Sequence, residues 1–150
     1  MPVFTTAVTA TPAAAAAAAY YSFHTGSSRP ARLREKRTST TSAVYSPIGL
    51  IVASNTPVAT TSTTPQPHDY STTAASPTCA LDTAWSTAPT VGSAYYETVA
   101  LGPAQGQILI ETYPLDGQGA IAIPKSTFLV GWNFGGNAAS ALAVTIIYEE

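Results

Sequence analysis

Four short apolar segments in the last third of the chain decide the fold: QILIETY (107–113), GAIAIP (119–124), FLVGWNF (128–134) and ALAVTIIYEE (141–150). Each is rich in β-branched and aromatic residues and is bounded by Gly, Pro, Asn or Asp, a pattern typical of β-strands separated by turns. Two earlier segments, SPIGLIVAS (46–54) and SAYYETVALG (93–102), continue the pattern. The sequence therefore predicts an all-β fold, an antiparallel β-sandwich or jelly roll of about eight strands.

The composition is poor in charge. Ala, Thr and Ser account for 64 of the 150 residues, and only 14 residues are charged, whereas ordinary soluble domains carry charge on about a quarter of their residues. A surface of hydroxyls and small apolar groups suits close packing on a neighbour, because ordering short side chains costs little entropy. A genome that favours Ala and Thr codons is the alternative explanation. The net charge of −2 favours neither nucleic acid nor an acidic substrate as partner.

Cysteine usage and hydropathy limit the location of the protein. Cys79 is the only cysteine, so we expect a small buried thiol with no internal disulfide and no thiolate metal site. The first basic residue is Arg29, so the amino terminus lacks the basic region of an export signal. No apolar run approaches the roughly 20 residues of a membrane span. We therefore expect a protein that is not secreted and does not contact a membrane.

Two segments depart from the strand pattern. Residues 1–19 predict an N-terminal arm or a first strand with an alanine tract; a short helix after Pro12 is the alternative, although two turns of alanine are marginal in isolation. Residues 55–78 contain four prolines and predict a long Thr/Pro/Ser-rich loop or a mobile arm. The remaining chain, residues 20–150, is expected to form a single β-sandwich domain around that loop.

A basic segment and an apolar arm supply the candidate partner-binding residues. Five of the six basic residues lie within residues 29–37. Strand alternation would place Arg32, Arg34 and Lys36 on one face, where they either discourage wrong β-pairing at an edge or contact an acidic partner subunit or nucleic acid. Apolar residues of the arm suit strand addition to a neighbouring sheet. The candidates are Val3, Phe4, Val8, Arg32, Arg34 and Lys36.

Catalytic motifs are absent from the sequence. It contains no G-x-S-x-G, P-loop, G-x-G-x-x-G or H-E-x-x-H pattern, and the neighbouring His68 and Asp69 are more typical of an exposed loop than of a triad or a metal site. We predict no enzyme activity, no catalytic residue, no cofactor and no metal. Aromatic residues suggest a sugar-binding platform as an alternative, although tyrosine pairs also arise when one ring faces in and one out. These aromatics are Tyr20, Tyr21, Tyr95, Tyr96, Tyr113, Trp132 and Phe134.

The segment FHTGSSRPARLREKRTSTTSAVYSPIGLIVAS (23–54) resembles the amino-terminal half of a group of small proteins from tailed phages and prophages. In that group a strand ending in Leu-Arg-Glu is followed by a Thr/Ser/Ala turn and a Gly-Leu apolar strand. The resemblance covers residues 20–150, but Ser54 stands where the relatives often carry Arg, so any contact made by that Arg is in doubt. The matching residues are Leu33, Arg34, Glu35, Gly49, Leu50, Pro124, Tyr148 and Glu149.

The resemblance implies a jelly-roll virion component. We expect a capsid decoration or cement protein that is made in the host cytoplasm and lies on the capsid surface. It would form a homo-oligomer, a trimer, bind across neighbouring subunits of the major capsid protein and stabilise the shell; neither nucleic acid nor a membrane is an expected partner. A tail or fibre component, with or without carbohydrate binding, and a lectin-like bacterial protein unconnected with virions are the alternatives. On the leading hypothesis, deleting residues 1–11 should abolish assembly.

Overall fold

A computed structural model describes residues 1–12, 18–68, 76–114, 121–135 and 141–150. All regular structure within these ranges is β, with twelve strands and no helix. The strands are β1 (Val3–Ala10), β2 (Ala18–His24), β3 (Ala31–Thr40), β4 (Ser46–Val52), β5 (Val58–Thr63), β6 (Gln66–Pro67), β7 (Ala80–Thr87), β8 (Glu97–Leu101), β9 (Ile108–Thr112), β10 (Ile121–Ile123), β11 (Phe128–Asn133) and β12 (Leu142–Glu149).

The strands form two antiparallel sheets, consistent with a β-sandwich. Sheet A has the order β10–β3–β12–β1–β6, and β9 also pairs with β3. Sheet B has the order β5–β7–β2–β11–β4–β8. Apolar side chains of both sheets meet in one core, so each sheet has an inner face towards that core and an outer face away from it.

The pairing of strands is nested along the chain. β1 pairs with β12, β2 with β11, β3 with β9 and β4 with β8. The outermost pair joins strands that are far apart in sequence, with Val3 opposite Glu149. β5, β6 and β7 lie outside this nested set and extend the sheets at their β1 and β2 sides.

Aromatic rings anchor β1 and β12 to the core. The Phe4 and Tyr148 rings stack with centroids 5.6 Å apart, and the Phe23 ring meets Tyr148 edge-on at 4.8 Å. Each such pair adds about 1 kcal/mol beyond the burial of its area. β12 shows the expected alternation, because every second side chain from Leu142 to Tyr148 is buried.

The structure confirms the all-β, antiparallel class, changes two details of the expected fold and selects one of two alternatives that the sequence left open. Twelve strands are described rather than about eight. Residues Val3–Ala10 form β1 within sheet A, so this segment is the first strand and not a free arm. The stretch 55–78 is not a loop throughout, because β5 and β6 lie in it.

Parts of two expectations lie outside the described residues. Residues 13–17 of the alanine tract and residues 69–75 of the Thr/Pro-rich stretch are not described. The described end of the tract, Ala18 and Ala19, belongs to β2.

Candidate interaction surface

The outer face of sheet A is open to solvent. Its side chains are all partly or fully exposed, including Ile108 at 68% and Ile110 at 56%. Hydroxyls, methyl groups and isoleucines dominate it. This open face comprises Val3, Thr5, Ala7, Thr9, Glu35, Arg37, Ser39, Ile108, Ile110, Thr112, Ala143, Thr145, Ile147 and Glu149.

A groove of about 530 Å³ lies at one end of the open face. Two of its arginines are paired with carboxylates: Arg34 Nε lies 3.3 Å from Glu149 Oε1, and Arg37 Nε contacts Glu35. The groove is therefore polar but nearly neutral, rather than a basic patch. Its lining residues are Arg34, Glu35, Arg37, His68, Tyr113 and Ile147.

A β-bulge in β3 reverses the expected alternation of the basic segment. Tyr148 pairs with Leu33 and Ile147 with Glu35, so Arg34 is the extra residue. One added residue moves every later side chain to the opposite face. Arg32 consequently points outward, whereas Lys36 points into the core and is only 1% exposed. The prediction that Arg32, Arg34 and Lys36 share a face is wrong for Lys36.

The apolar candidates of β1 are also divided between the two faces. Phe4 is fully buried and Val8 packs against the core, while Val3 lies on the open face. Phe4 therefore has no surface to offer a partner while β1 remains in the sheet. A partner-binding role stays a prediction for Val3, Arg32 and Arg34.

Lys36 is instead the centre of a buried ionic cluster. Its Nζ contacts Glu97 on β8 and lies 2.8 Å from Glu111 Oε2 on β9. Tyr113 donates its hydroxyl to both carboxylate oxygens of Glu97, at 3.0 and 2.9 Å. Burial, followed by the nearby carboxylates, raises the pKa of Tyr113, so this phenol remains a donor. We call Lys36, Glu97, Glu111 and Tyr113 the Lys36 cluster.

A second polar cluster lies on the outer face of sheet B. Asp82 is fully buried and accepts hydrogen bonds from Ser22 Oγ at 3.1 Å and Ser62 Oγ at 2.5 Å, and its Oδ2 lies 2.9 Å from His24 Nδ1. Trp85 Nε1 donates to Ser22 Oγ at 3.2 Å. Burial alone would raise the pKa of Asp82, but the hydrogen bonds from His24, Ser62 and Ser22 outweigh it and lower the pKa.

The arrangement around Asp82 differs from that of a nucleophilic triad. In a triad the serine hydroxyl is hydrogen-bonded to the histidine, whereas Ser22 and Ser62 both donate to the carboxylate. Sequence reasoning missed this cluster because its members come from β2, β5 and β7, which only the sheet order brings together. Of the His68–Asp69 pair, Asp69 lies outside the described residues, and His68 lines the groove of the open face.

The rest of the outer face of sheet B is covered by the chain itself. Ala19, Ile51 and Val130 are buried there beneath Trp85, Val91, Tyr95 and Trp132. The Tyr95 ring lies against Gly49, where a Cβ would come within 2.3 Å of it. This covered face therefore requires glycine at position 49, because no side chain fits under the ring.

Two aromatic rings remain exposed beside the covered face. Tyr96 is 57% exposed and Phe134 is 42% exposed, and the Phe134 ring lies 5.8 Å from that of Tyr95. A depression of about 530 Å³ is lined by Ile51, Val52, Gly92, Ser93, Ala94, Tyr95 and Tyr96. Of the other expected platform residues, Tyr20 and Tyr21 are buried in the core.

Neither metal ligands nor a membrane-spanning helix is found in the part of the chain that the structure describes. There, no three His, Cys, Asp or Glu side chains are grouped closely enough to hold a metal ion. The same residues include no helix with the length and apolar character needed to cross a membrane.

Comparison with known proteins gives no identification. No protein-family model, no curated protein and no solved structure matches the chain.

Proposed function

We propose that the protein is a virion structural protein of a tailed phage, a capsid decoration protein. It binds across neighbouring subunits of the major capsid protein as a homo-oligomer, a trimer, and stabilises the shell. It is made in the host cytoplasm and acts on the capsid surface, with no enzymatic role and no cofactor. The observation that carries this proposal is the open face of sheet A, a whole sheet face without a covering layer among the described residues.

The strand order supports a jelly-roll version of the β-sandwich. If the additional strands β5, β6, β7 and β10 are set aside, eight strands remain. Their nested pairs, β1·β12, β2·β11, β3·β9 and β4·β8, are those of one long hairpin rolled over a core, with four strands in each sheet. We therefore propose a jelly roll, a fold common among viral capsid proteins.

The chemistry of the open face suits a contact that is repeated over a lattice. Its short hydroxyl and methyl side chains lose little conformational entropy on binding. Its charged residues are Glu35, Arg37 and Glu149; Glu35 pairs with Arg37, and Glu149 pairs with Arg34 of the neighbouring groove, so little additional charge must be desolvated. Modest affinity at each copy becomes strong attachment when several copies of one oligomer bind together.

The edge of β1 offers a second element of the contact. β6 pairs only with Phe4 and Thr5, so the residues from Thr6 to Ala10 have no described strand on that side. Such an edge can accept a strand from a neighbouring subunit. Deletion of residues 1–11 would be a poor test of this contact, since it would also remove Phe4 from the core.

Substitution of Thr145 by Asp on the open face tests the proposal. Thr145 lies between Arg37 and Ala7 on the neighbouring strands, so an aspartate there meets a cation and should not disturb the fold. We expect the unmodified protein to form a closed oligomer in light scattering and to co-sediment with assembled capsids. Thr145→Asp should retain the oligomer and lose co-sedimentation.

Thr87→Asp is the matched control, because Thr87 is exposed at the end of β7 in sheet B; it should bind like the unmodified protein. Co-sedimentation of Thr145→Asp at the unmodified level would exclude the open face as the capsid contact. An unmodified monomer that does not bind capsids would overturn the decoration role.

A carbohydrate-binding tail or fibre component is the second candidate. The exposed Tyr96 and Phe134 rings beside the lined depression favour it, because sugars stack on exposed aromatic rings. Glycan binding that disappears in Tyr96→Ala, without capsid binding by the unmodified protein, would support this candidate. Lack of binding across a glycan array would exclude the sugar-binding form.

A further inference from the structure

The Lys36 cluster brings an amine and two carboxyl groups together inside the sandwich. Lys36 is 1% exposed and reaches from β3 of sheet A to Glu97 on β8 of sheet B. Glu111 lies on β9 directly opposite Lys36, and its buried Oε2 has no aligned hydrogen-bond donor although Nζ is 2.8 Å away. Amide formation requires an amine and a carboxyl, and a second carboxyl beside them can carry the protons that the reaction moves.

We propose that Lys36 and Glu97 become joined by an intramolecular amide bond between Lys36 Nζ and Glu97 Cδ. This isopeptide bond links sheet A to sheet B near the edge formed by β8 and β9. It forms within the folded chain without another enzyme, and it does not depend on the proposed virion role.

The reaction is a condensation that releases one water molecule. The Lys36 ammonium first transfers a proton to the Glu97 carboxylate, which gives an amine and a carboxylic acid. Nζ then attacks Cδ, the new C–N bond forms, and one C–O bond breaks. Glu111 donates a proton to the departing oxygen and takes one from Nζ, so it ends unchanged. The charges of Lys36 and Glu97 disappear together, and no oxidant or reductant is needed.

The surroundings act on the first proton transfer in two opposing ways and favour the later proton donation. Burial alone would lower the pKa of Lys36, but Tyr21, Glu97 and Glu111 raise it, so the resting group is an ammonium that must lose its proton to react. Burial reduces the cost of converting a charged pair into two neutral groups. Burial also raises the pKa of Glu111, which lowers the cost of reaching the protonated form that donates to the departing oxygen.

The fixed position of the reacting groups increases the rate of the reaction. Groups held in contact by a folded scaffold react as though they were present at effective concentrations of about 10⁵ M or more. Tyr113 donates to both oxygens of Glu97, which fixes the carboxyl and stabilises negative charge on oxygen during the attack. Tyr113 is thus a positioning residue for the carboxyl.

The intact mass of the purified, denatured full chain tests the proposal. We expect a mass one water below that of the sequence. Chymotrypsin, which cleaves after aromatic residues and leucine, should release a branched peptide that joins residues 34–45 to residues 97–101. The chain has only two lysines, Lys36 and Lys125, so Lys125→Arg is the matched control and should still lose water.

Variants of Lys36 and Glu111 and the identity of the branched peptide test the separate parts of the proposal. Lys36→Met should show the full sequence mass, and Glu111→Gln should show slower or no loss of water. A full sequence mass for the unmodified protein, including after prolonged incubation, would overturn the proposal, and this result does not depend on whether any variant folds. A branched peptide that contains residues 110–115 would overturn the choice of Glu97. Loss of water at the unmodified rate in Glu111→Gln would overturn the proton-carrying role of Glu111.

Discussion

The two sheets differ in whether residues of the same chain cover their outer faces. The covered face of sheet B buries Ile51 and Val130 beneath residues of the same chain, and it includes the fully buried Asp82 with its three partners. The open face of sheet A has no such layer among the described residues, and isoleucines of β9 stand exposed on it. One sheet is thus completed by its own chain, and the other presents a full face to its surroundings.

Because of this difference, we expect the covered face to determine stability and the open face to determine binding. Substitutions on the covered face disturb packed side chains and buried hydrogen bonds, which carry large free energies. Substitutions on the open face touch groups that are already solvated, so they should change the free energy of unfolding little. A variant's effect on unfolding and its effect on binding should therefore fall on different faces.

The largest effect is expected for Val130→Asp on the covered face. Val130 is fully buried, and an unpaired carboxylate there should lower the free energy of unfolding by at least about 4 kcal/mol. Thr145→Asp on the open face is the control and should cost about 1 kcal/mol or less. Urea unfolding followed by tryptophan fluorescence measures the free energy of unfolding of both variants. Equal losses in the two variants would contradict the proposed difference between the faces.

The next largest effect is expected for Asp82→Asn. The amide keeps the shape of the side chain but loses the charge that faces His24 and can no longer accept every hydroxyl, at a cost of about 3 kcal/mol near neutral pH. The pKa of Asp82 is lowered in the folded state. Its contribution is therefore complete above the ordinary value of about 3.9 and is lost as the pH falls through the lowered one.

Urea midpoints of the unmodified protein and Asp82→Asn, compared near neutral pH and in acid, measure this dependence. The gap between the two proteins should narrow as the pH falls below about 4. A gap that stays constant or widens in acid would show that Asp82 is not stabilised as a carboxylate.

A smaller effect is expected for Arg34→Ala in the groove of the open face. The pair between Arg34 and Glu149 is 3.3 Å long and partly solvated, so its loss should cost about 0.5 kcal/mol, and less in high salt. A loss of unfolding free energy several times larger would show that the groove contributes substantially to the stability of the sheet. Unfolding at low and high salt makes the measurement.

The smallest effect on stability is expected for Ile110→Thr. Ile110 is 56% exposed on an edge strand, so the free energy of unfolding should change by about 0.5 kcal/mol or less. Co-sedimentation with capsids should nevertheless weaken, because this side chain would be buried by the partner. Unchanged co-sedimentation would limit the contact to the β12 and β1 part of the open face.

The sequence pattern predicts the class of fold because alternation is local. β12 illustrates this, since its apolar residues at every second position are the buried ones. The same rule failed at Lys36, where one bulged residue, Arg34, reversed the faces of β3. A bulge depends on the pairing partner, so alternation within one strand cannot reveal it.

The Lys36 cluster and the cluster around Asp82 could not be predicted from the sequence, for a different reason. Lys36, Glu97 and Glu111 lie on three strands of two sheets, and nothing in their sequence spacing relates them. Asp82 and His24 are likewise joined by the pairing of β2 with β7. Identifying these contacts requires the order of strands, which short-range patterns do not contain. The scarcity of charge, by contrast, pointed to a surface with few charges, and the open face carries only Glu35, Arg37 and Glu149 as charged residues.

The nested strand order also sets when folding can finish. β1 is synthesised before its main partner β12, which spans Leu142–Glu149, and Phe4 has no Tyr148 ring to stack on until residue 148 has been added. Closing such long loops is slow, and β-sheet proteins of this kind fold in about milliseconds to seconds. Chains stalled on the ribosome before residue 142 should be digested readily by protease along their length, and protection of β1 in such chains would contradict this. The sandwich can therefore close only after β1 and β12, its most distant paired strands, have both been synthesised.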